Sequence, residues 1–235
     1  MCGRYVAAAP PSEIAKYFGV DELPETVLEP NYNVAPTTSV LVVSERQEHK
    51  SIDAMRWGLV PFWAKDLAIG SKMINARAEG IETKNAYRHA LKKQRCIIPV
   101  DGFYEWKTVE GEKRKQPYFI HRVDHEPLAF AGLWETWRGP DRNGDPIRSC
   151  TIVTTSPNRE MAQIHHRMPV ILPPDKWDHW LDPSFDDTAT VTSWLVPATD
   201  GLLTMYEVST GVNNVRNKGP ELIVPLREQG QGTLL

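Results

Sequence analysis

The chain has few cysteines and no long apolar run. Cysteine occurs at positions 2, 96 and 150, without a CxxC pair or other paired spacing, so neither a zinc site nor a disulfide framework is indicated. No apolar stretch approaches the roughly 18 residues of a membrane-spanning helix, and no signal-peptide pattern opens the chain. We therefore expect a cytoplasmic protein with no membrane association, no metal and no cofactor.

Positive charge is not in excess either. The formal net charge is −3 and the pI is about 6.2, which argues against a protein that coats nucleic acid through a basic surface. This balance still permits a local basic cleft. At 235 residues, with 41% hydrophobic and 24% charged residues, the composition is typical of one globular domain with a substantial core.

Short strand patterns dominate the chain and are densest between positions 96 and 155. Helical patterns are short and scattered, at 12–18, 84–95, 174–181 and 187–195. These signals favour an α+β fold, with a largely antiparallel, curved or barrel-like sheet and a few peripheral helices. We expect a single domain over residues 1–225, a flexible C-terminal tail over 226–235, and a monomer.

Cys2 differs from the other two cysteines, which lie in apolar strand-like runs typical of buried thiols. Its small side chain permits removal of Met1, which would leave an α-amine and a thiol on adjacent carbons. Both groups have reference pKa values close to neutral pH. Such a residue can capture an aldehyde as a Schiff base and close it to a thiazolidine, or act as an N-terminal nucleophile. The alternative is a frayed terminus without a role.

Two further segments contain candidate polar groups. In Asn75-Ala-Arg-Ala-Glu79, the Asn75 amide can orient a hydroxyl or an amine, and Arg77 suits a phosphate. The alternative is a turn asparagine beside a surface ion pair between Arg77 and Glu79. In the second segment, residues 101–106, the strand pattern places Glu105 on the same face as Phe103. It is either a partly buried proton-transfer group or an edge-strand carboxylate that faces water.

His165 and His166 precede an apolar strand, and histidine is the usual general acid or base near neutral pH. Adjacent residues of an extended chain face opposite sides, so one of the two is expected to matter. No third ligand lies at a zinc-binding spacing. Trp63 lies in an aromatic, proline-bent segment that suits stacking on single-stranded nucleic acid. An aromatic core is the alternative, which we favour for Trp57 but not for Trp63.

The order of these segments along the chain resembles the SOS-response-associated peptidase (SRAP) family of abasic-site processing proteins. The resemblance extends from residue 2 to about residue 225. It implies a SRAP domain that binds single-stranded DNA, captures the ring-opened aldehyde of an abasic site through Cys2 and shields the lesion as a thiazolidine cross-link during the DNA damage response. The matching segments are Met1–Arg4, Asn33–Pro36, Asn75–Glu79, Arg95–Trp106 and Ile164–Leu172, followed by Val208, Val212 and Asn217.

The resemblance also implies residue roles. Asn75 would position the Cys2 amine and the opened sugar, Glu105 would move protons at the amine and imine, and His165 would assist ring opening and cross-link release. The protein would act at the nucleoid or the replication fork. The residues expected at the DNA are Arg4, Asn33, Pro36, Trp63, Arg77, Arg167 and Met168.

Two positions depart from the family pattern: His166 replaces the usual Asp, and Gly80 replaces a common Thr. The first puts a salt bridge that orients His165 or Arg167 in question. Two other functions remain open. One is an N-terminal-nucleophile amidohydrolase or peptidase, such as a glutamine amidotransferase, which also begins Met-Cys-Gly. The other is a non-covalent binder of single-stranded DNA or modified bases, in which Cys2 would be idle.

Overall fold

The computed structural model describes residues 2–20, 22–24, 26–112 and 114–226. Strands and short helices alternate along these ranges. The helices are α1 (Pro11–Phe18), α2 (Arg88–Lys93), α3 (Trp177–Leu181) and α4 (Thr188–Ser193). The strands are β1 (Tyr5–Ala7), β2 (Asn31–Val34), β3 (Ser39–Arg46), β4 (His49–Trp57), β5 (Asn75–Arg77), β6 (Arg95–Val100), β7 (Gly102–Lys107), β8 (Gln116–Arg122), β9 (Leu128–Trp137), β10 (Ile147–Thr155), β11 (Met168–Pro169) and β12 (Leu203–Glu207).

Five strands close into a barrel. They pair in the order β10, β4, β3, β6, β9, and β9 pairs back to β10 through Ile147–Ile152 against Gly132–Trp137. Most of these pairs are antiparallel, whereas β10 runs parallel to β4 and then to β5. Closure leaves no free edge in the ring of strands. The α+β expectation with a barrel-like sheet is confirmed.

A second, antiparallel sheet has the strand order β12-β8-β7-β1-β2. Its strand β1 pairs with β7 through Tyr5 and Phe103, so the residues just before Tyr5 run alongside Tyr104 and Glu105. One core cluster takes side chains from the barrel and from this sheet, and Cys2 belongs to it. The start of the chain is therefore held between the two sheets.

Alternation along β7 decides the orientation of Glu105. Phe103 packs in the core cluster between the sheets, whereas Tyr104 and Trp106 pack in a separate cluster on the opposite face. Glu105 is 3% exposed. The predicted pairing of faces is confirmed, and the alternative of a water-facing edge glutamate is wrong.

The predicted helices are present, and two of them, at 84–95 and 187–195, are shorter than expected. The helix predicted at 84–95 is reduced to α2, because residue 95 already begins β6. The fully buried Arg95 side chain explains how α2 ends. Its guanidinium donates to the carbonyl oxygens of Leu91 and Lys92 at 2.8 Å, and to that of Phe185 at 2.9 Å. The bonds to Leu91 and Lys92 satisfy carbonyls that the end of α2 leaves free.

Residues 58–74 leave the barrel after β4 and return in β5. The loop ends cross at two glycines: a Cβ on Gly58 would lie 2.6 Å from the Gly70 carbonyl oxygen, and Gly58 has a φ of +130°. Only glycine fits such a crossing. The loop carries Trp63, and it is fixed to the barrel by Trp137, whose Nε1 donates to the Ala64 carbonyl oxygen at 2.8 Å.

The predicted C-terminal tail lies, from residue 227 onward, outside the described residues. Among the residues that are described, no helix combines the length and apolar character needed to cross a membrane.

Candidate functional site

Cys2 is fully buried, and its backbone carbonyl oxygen accepts a hydrogen bond from Asn75 Nδ2 at 2.8 Å. Burial raises the pKa of the Cys2 thiol well above its usual range, and the nearby Glu105 carboxylate raises it further. The thiol is therefore protonated at neutral pH. Sulfur chemistry at this position needs a partner that accepts the proton as the bond to sulfur forms.

Asn75 reaches Cys2 from β5, which is held in register by pairing with Ile152 of β10. Its Oδ1 atom is buried and has no hydrogen-bond partner among the described residues. An unsatisfied buried acceptor costs about 1–3 kcal/mol. The amide therefore holds Cys2 with one end and offers an acceptor at the other.

Glu105 lies close enough to Cys2 for its charge to affect the thiol. Burial raises the pKa of the Glu105 carboxyl above its ordinary value. A carboxyl group shifted toward neutral pH exchanges protons more readily there than an exposed one. The structure thus brings a thiol, an amide and a tunable carboxyl together around the start of β1.

His165 is a neutral hydrogen-bond donor at pH 7. Its Nδ1 atom faces the Arg167 backbone, 3.0 Å from the N–H nitrogen and 3.2 Å from the carbonyl oxygen, and in the tautomer that accepts from the N–H the ring proton lies on Nε2. Burial lowers the pKa of His165 to about 4. The ring is therefore suited to donate from Nε2 to an oxygen atom.

His166 stacks on His165 with ring centroids 4.3 Å apart. Both rings line a cleft of 430 Å³, together with Trp106 and Lys115. The expectation that the two histidines face opposite sides, and not the same pocket, is therefore wrong. Residues 161–163 form a 3-10 turn and the chain bends at His166, so neighbouring side chains are not forced to opposite sides.

Arg167 is engaged in an ion pair. Its guanidinium forms a two-point pair with Glu79, in which Nη2 lies 2.9 Å from Oε2, and Nη2 also donates to the Thr154 carbonyl oxygen at 2.6 Å. Glu79 thus pairs with Arg167 and not with Arg77. The ion pair of Arg167 forms although His166 replaces the Asp that is usual in the family. Arg77 itself is exposed at the end of β5 and has no salt bridge within the described ranges.

Arg4 is half-buried and tied to the protein. Its Nη1 donates to Asn33 Oδ1 at 2.9 Å and to the Val212 carbonyl oxygen at 3.0 Å, and the guanidinium lies 6.0 Å from the Trp106 ring centroid. Asn33 is 1% exposed. The Asn33 amide nitrogen donates to backbone carbonyls at Val212 and in the following residues up to Asn217. This network connects the segment from Val212 to Asn217 with Arg4 and Asn33 at the start of the site.

Two other residues predicted at the DNA lie in contrasting environments. Pro36 is half-buried in the loop between β2 and β3, next to Thr37, whose φ of +70° is unusual for a β-branched residue. Met168 is fully buried, and its sulfur accepts from the Asn158 backbone N–H at 3.2 Å. Direct contact of Met168 or Asn33 with DNA would require these segments to move.

A separate groove of 840 Å³ contains Trp63. Trp63 is 45% exposed, whereas Trp57 is fully buried, as expected for each. Arg88 and Lys92 of α2 also line the groove. The groove and the cleft at His165 share no lining residue in the part of the chain that the structure describes.

Lys115 is a candidate that the sequence reasoning did not identify. It lies in the exposed hairpin between β7 and β8, where a run of charged residues is typical of a turn and carries no functional signal. Within the described ranges, no group of three or more His, Cys, Asp or Glu side chains is arranged to hold a metal ion.

Comparison with known proteins gives a consistent result. The family model described as "SOS response associated peptidase (SRAP)" matches residues 1–215. The Abasic site processing protein YoqW of Bacillus subtilis is 43% identical over 224 residues, which is 95% of this chain and 99% of that protein. YedK of Escherichia coli, with the same descriptive name, is 34% identical over 233 residues, covering 96% of this chain and 100% of that protein.

The fold is also matched by a solved structure. A crystal structure of a protein from Bacteroides thetaiotaomicron superimposes with a TM-score of 0.85 at 26% identity, and the match covers 95% of this chain and 99% of that one.

Proposed function

This chain belongs to the SRAP family, and from that premise we propose that it senses abasic sites in single-stranded DNA and cross-links to them through Cys2. The relatives YoqW and YedK are named abasic site processing proteins. The observation that carries the proposal is the buried, unpartnered Oδ1 of Asn75, on the same amide whose Nδ2 holds Cys2.

Removal of Met1 would provide the partner for that oxygen. The α-amine of Cys2 would then lie on the residue that Asn75 already holds, and Asn75 Oδ1 would accept one of its N–H groups. This hydrogen bond orients the nitrogen lone pair. A buried amine is also less stable as an ammonium ion, so a larger fraction is nucleophilic at neutral pH.

Proton transfers follow from the two neighbouring groups. His165 donates a hydrogen bond from Nε2 to the ring oxygen of the sugar, which gains a proton as the anomeric hydroxyl loses its own, and so favours the ring-opened aldehyde. The amine attacks the aldehyde carbon, and one N–H proton moves to the aldehyde oxygen to give the hydroxyl group of a carbinolamine. Glu105 takes the second N–H proton and passes it to that hydroxyl group, which leaves as water and gives the imine. The Cys2 sulfur adds to the imine carbon while its proton moves to the imine nitrogen. The product is a thiazolidine.

DNA contacts divide into direct and supporting ones. Arg77 and Trp63 are exposed and suited to a phosphate and to an unpaired base, and Pro36 is half-buried in the loop between β2 and β3. The remaining predicted residues act by holding these elements in place. They are Arg4, Asn33, Arg167 and Met168.

The proposal is tested with the protein lacking Met1 and a single-stranded oligonucleotide that contains one abasic site. Wild type should give a band shift on a denaturing gel, and Cys2→Ala should give none. Cys2→Ala and Cys2→Ser both keep the amine, so an adduct of either should appear only after borohydride reduction. An adduct of equal yield in Cys2→Ala would overturn the proposal. Ammonia release from glutamine would support the amidohydrolase alternative instead.

A further inference from the structure

We infer that the cleft beside His165 is a nucleotide subsite, in which Lys115 binds the phosphate of a nucleotide that adjoins the abasic residue. This inference rests on the proposed function, because the abasic sugar must lie between Cys2 and His165. Neither Lys115 nor this cleft is among the DNA contacts of the proposed function.

The shape of the cleft suits one nucleotide. Its volume of 430 Å³ lies within the range of small-molecule sites, about 300–1,000 Å³. One wall is formed by Trp106, Thr108 and Lys115 from the β7–β8 hairpin, and the other by the segment that contains Pro157 and His166. Since His165 also lines the cleft, a nucleotide held there is next to the reacting sugar.

The charge of the cleft favours an anion. Lys115 is exposed and makes no hydrogen bond or ion pair within the described ranges. Among the residues that the structure describes, no Asp or Glu side chain lines the cleft, although the chain as a whole has a net charge of −3. A free ammonium in an opening without carboxylates is well placed to bind a phosphate.

Lys115 also lies close to the reacting groups. Its positive charge is one of the influences that lower the pKa of His165, and it partly offsets the effect of burial on the pKa of Glu105. Both effects require the ammonium to be near these side chains. A phosphate on Lys115 would therefore lie beside the sugar that Glu105 and His165 act on.

The walls provide flat surfaces for a base. Trp106 is fixed by a hydrogen bond from its Nε1 to Asn213 Oδ1 at 2.8 Å and by the Arg4 guanidinium near its ring. His166 is held by its stack on His165. Stacking on such rings does not depend on base identity, which suits a protein that recognises a lesion in any sequence.

The matched test compares Lys115→Ala with Arg114→Ala. Arg114 is the adjacent residue, is exposed and does not line the cleft. Binding is measured on a single strand that carries a tetrahydrofuran abasic analogue, which has no aldehyde and cannot cross-link. Lys115→Ala should weaken binding about tenfold at low salt and reduce the slope of log affinity against log salt by about 0.7. Arg114→Ala should change neither value appreciably.

Truncated oligonucleotides locate the contact. Strands are made that end at the analogue on its 5′ side or on its 3′ side. One of the two truncations should abolish the difference between wild type and Lys115→Ala, and the other should preserve it. Equal effects of Lys115→Ala and Arg114→Ala, or a Lys115 effect that survives both truncations, would overturn the inference.

This test is separable from that of the proposed function. If wild type binds the analogue through Lys115 but forms no adduct with a true abasic site, the cross-linking proposal fails and the subsite stands. If wild type forms the adduct and Lys115→Ala behaves as Arg114→Ala, the subsite fails alone. Thermal unfolding of both variants confirms that each is folded.

Discussion

Two buried glutamates lie in different regions of the molecule, and their surroundings can be compared. Glu105 on β7 and Glu135 on β9 are each 3% exposed. Burial raises the pKa of both carboxyls above the usual value. Seen by burial alone, the two residues are equivalent.

Their surroundings differ. Glu135 lies near the Trp63 groove and is held by donors from elsewhere in the fold: its Oε1 is 3.3 Å from His89 Nδ1, and the Gln94 amide, in its hydrogen-bonding orientation, donates at 3.2 Å. Glu105 lies beside the Cys2 thiol. Under the proposed function the Glu105 carboxyl transfers protons, whereas the donors around Glu135 indicate that this carboxyl stabilises the fold.

The sharpest test of this comparison is Glu105→Gln. Removing the proton carrier should slow cross-linking about 10²- to 10⁴-fold. The variant should be at least as stable as wild type, because a desolvated carboxylate is replaced by a neutral amide. Rates are measured at saturating abasic DNA, with Glu135→Gln as the control. Equal slowing in both variants would show that Glu105 has no role in cross-linking that Glu135 lacks.

The reciprocal change is Glu135→Ala. It leaves the His89 and Gln94 groups without their acceptor and should lower the free energy of unfolding by about 1–3 kcal/mol. Urea unfolding measures this loss. The cross-linking rate of the folded variant should match that of wild type at a temperature well below its melting point, and a selective loss of rate would give Glu135 a part in the reaction.

A third test asks whether the region near Glu135 also contributes to binding. Trp63→Ala should weaken binding of the tetrahydrofuran strand by about 1–3 kcal/mol, the value of one base–aromatic stack. Trp63→Phe retains a ring and should restore most of the affinity. The cross-linking rate at saturating DNA should be nearly unchanged in both. Binding by Trp63→Ala that equals wild type would limit the DNA path to the Cys2 region.

The smallest expected effect concerns pH. The pKa of His165 is about 4 in the folded protein and near 6.5 in an unfolded chain, so between these values the unfolded state binds more protons. The contribution of His165 to stability is therefore complete above pH 6.5 and is lost as the pH falls toward 4. NMR titration of the His165 ring measures its pKa in the folded protein, and a value near 6.5 would show that folding does not lower this pKa.

Local patterns were sufficient for part of the site. Alternation along residues 102–107 placed Glu105 on the face of Phe103 but left open whether that carboxyl was buried, and the order of the short motifs identified the family. The Arg167–Glu79 ion pair was not predictable from spacing, because its members are 88 positions apart. Arg77 is much nearer to Glu79 in sequence, but β5 ends at Arg77 and the chain then turns.

Long-range pairing accounts for the other differences. Glu135 lies in an apolar run that predicts a strand, but its partner His89 comes from α2. The ring of strands closes only because β9 and β10 meet. His165 and His166 share a cleft because a 3-10 turn precedes them, and isolated turns of this length leave little periodic signal in a sequence.

The crossing of Gly58 and Gly70 affects how the length of the loop over residues 58–74 can vary. Because the loop ends meet backbone to backbone, the intervening residues leave and rejoin the barrel side by side, and Trp137 fixes them to it at Ala64. Changing the length of a surface loop with fixed ends costs little in entropy, about 0.6 kcal/mol per doubling. The segment around Trp63 can therefore change in length at little cost to the barrel and to the surroundings of Cys2.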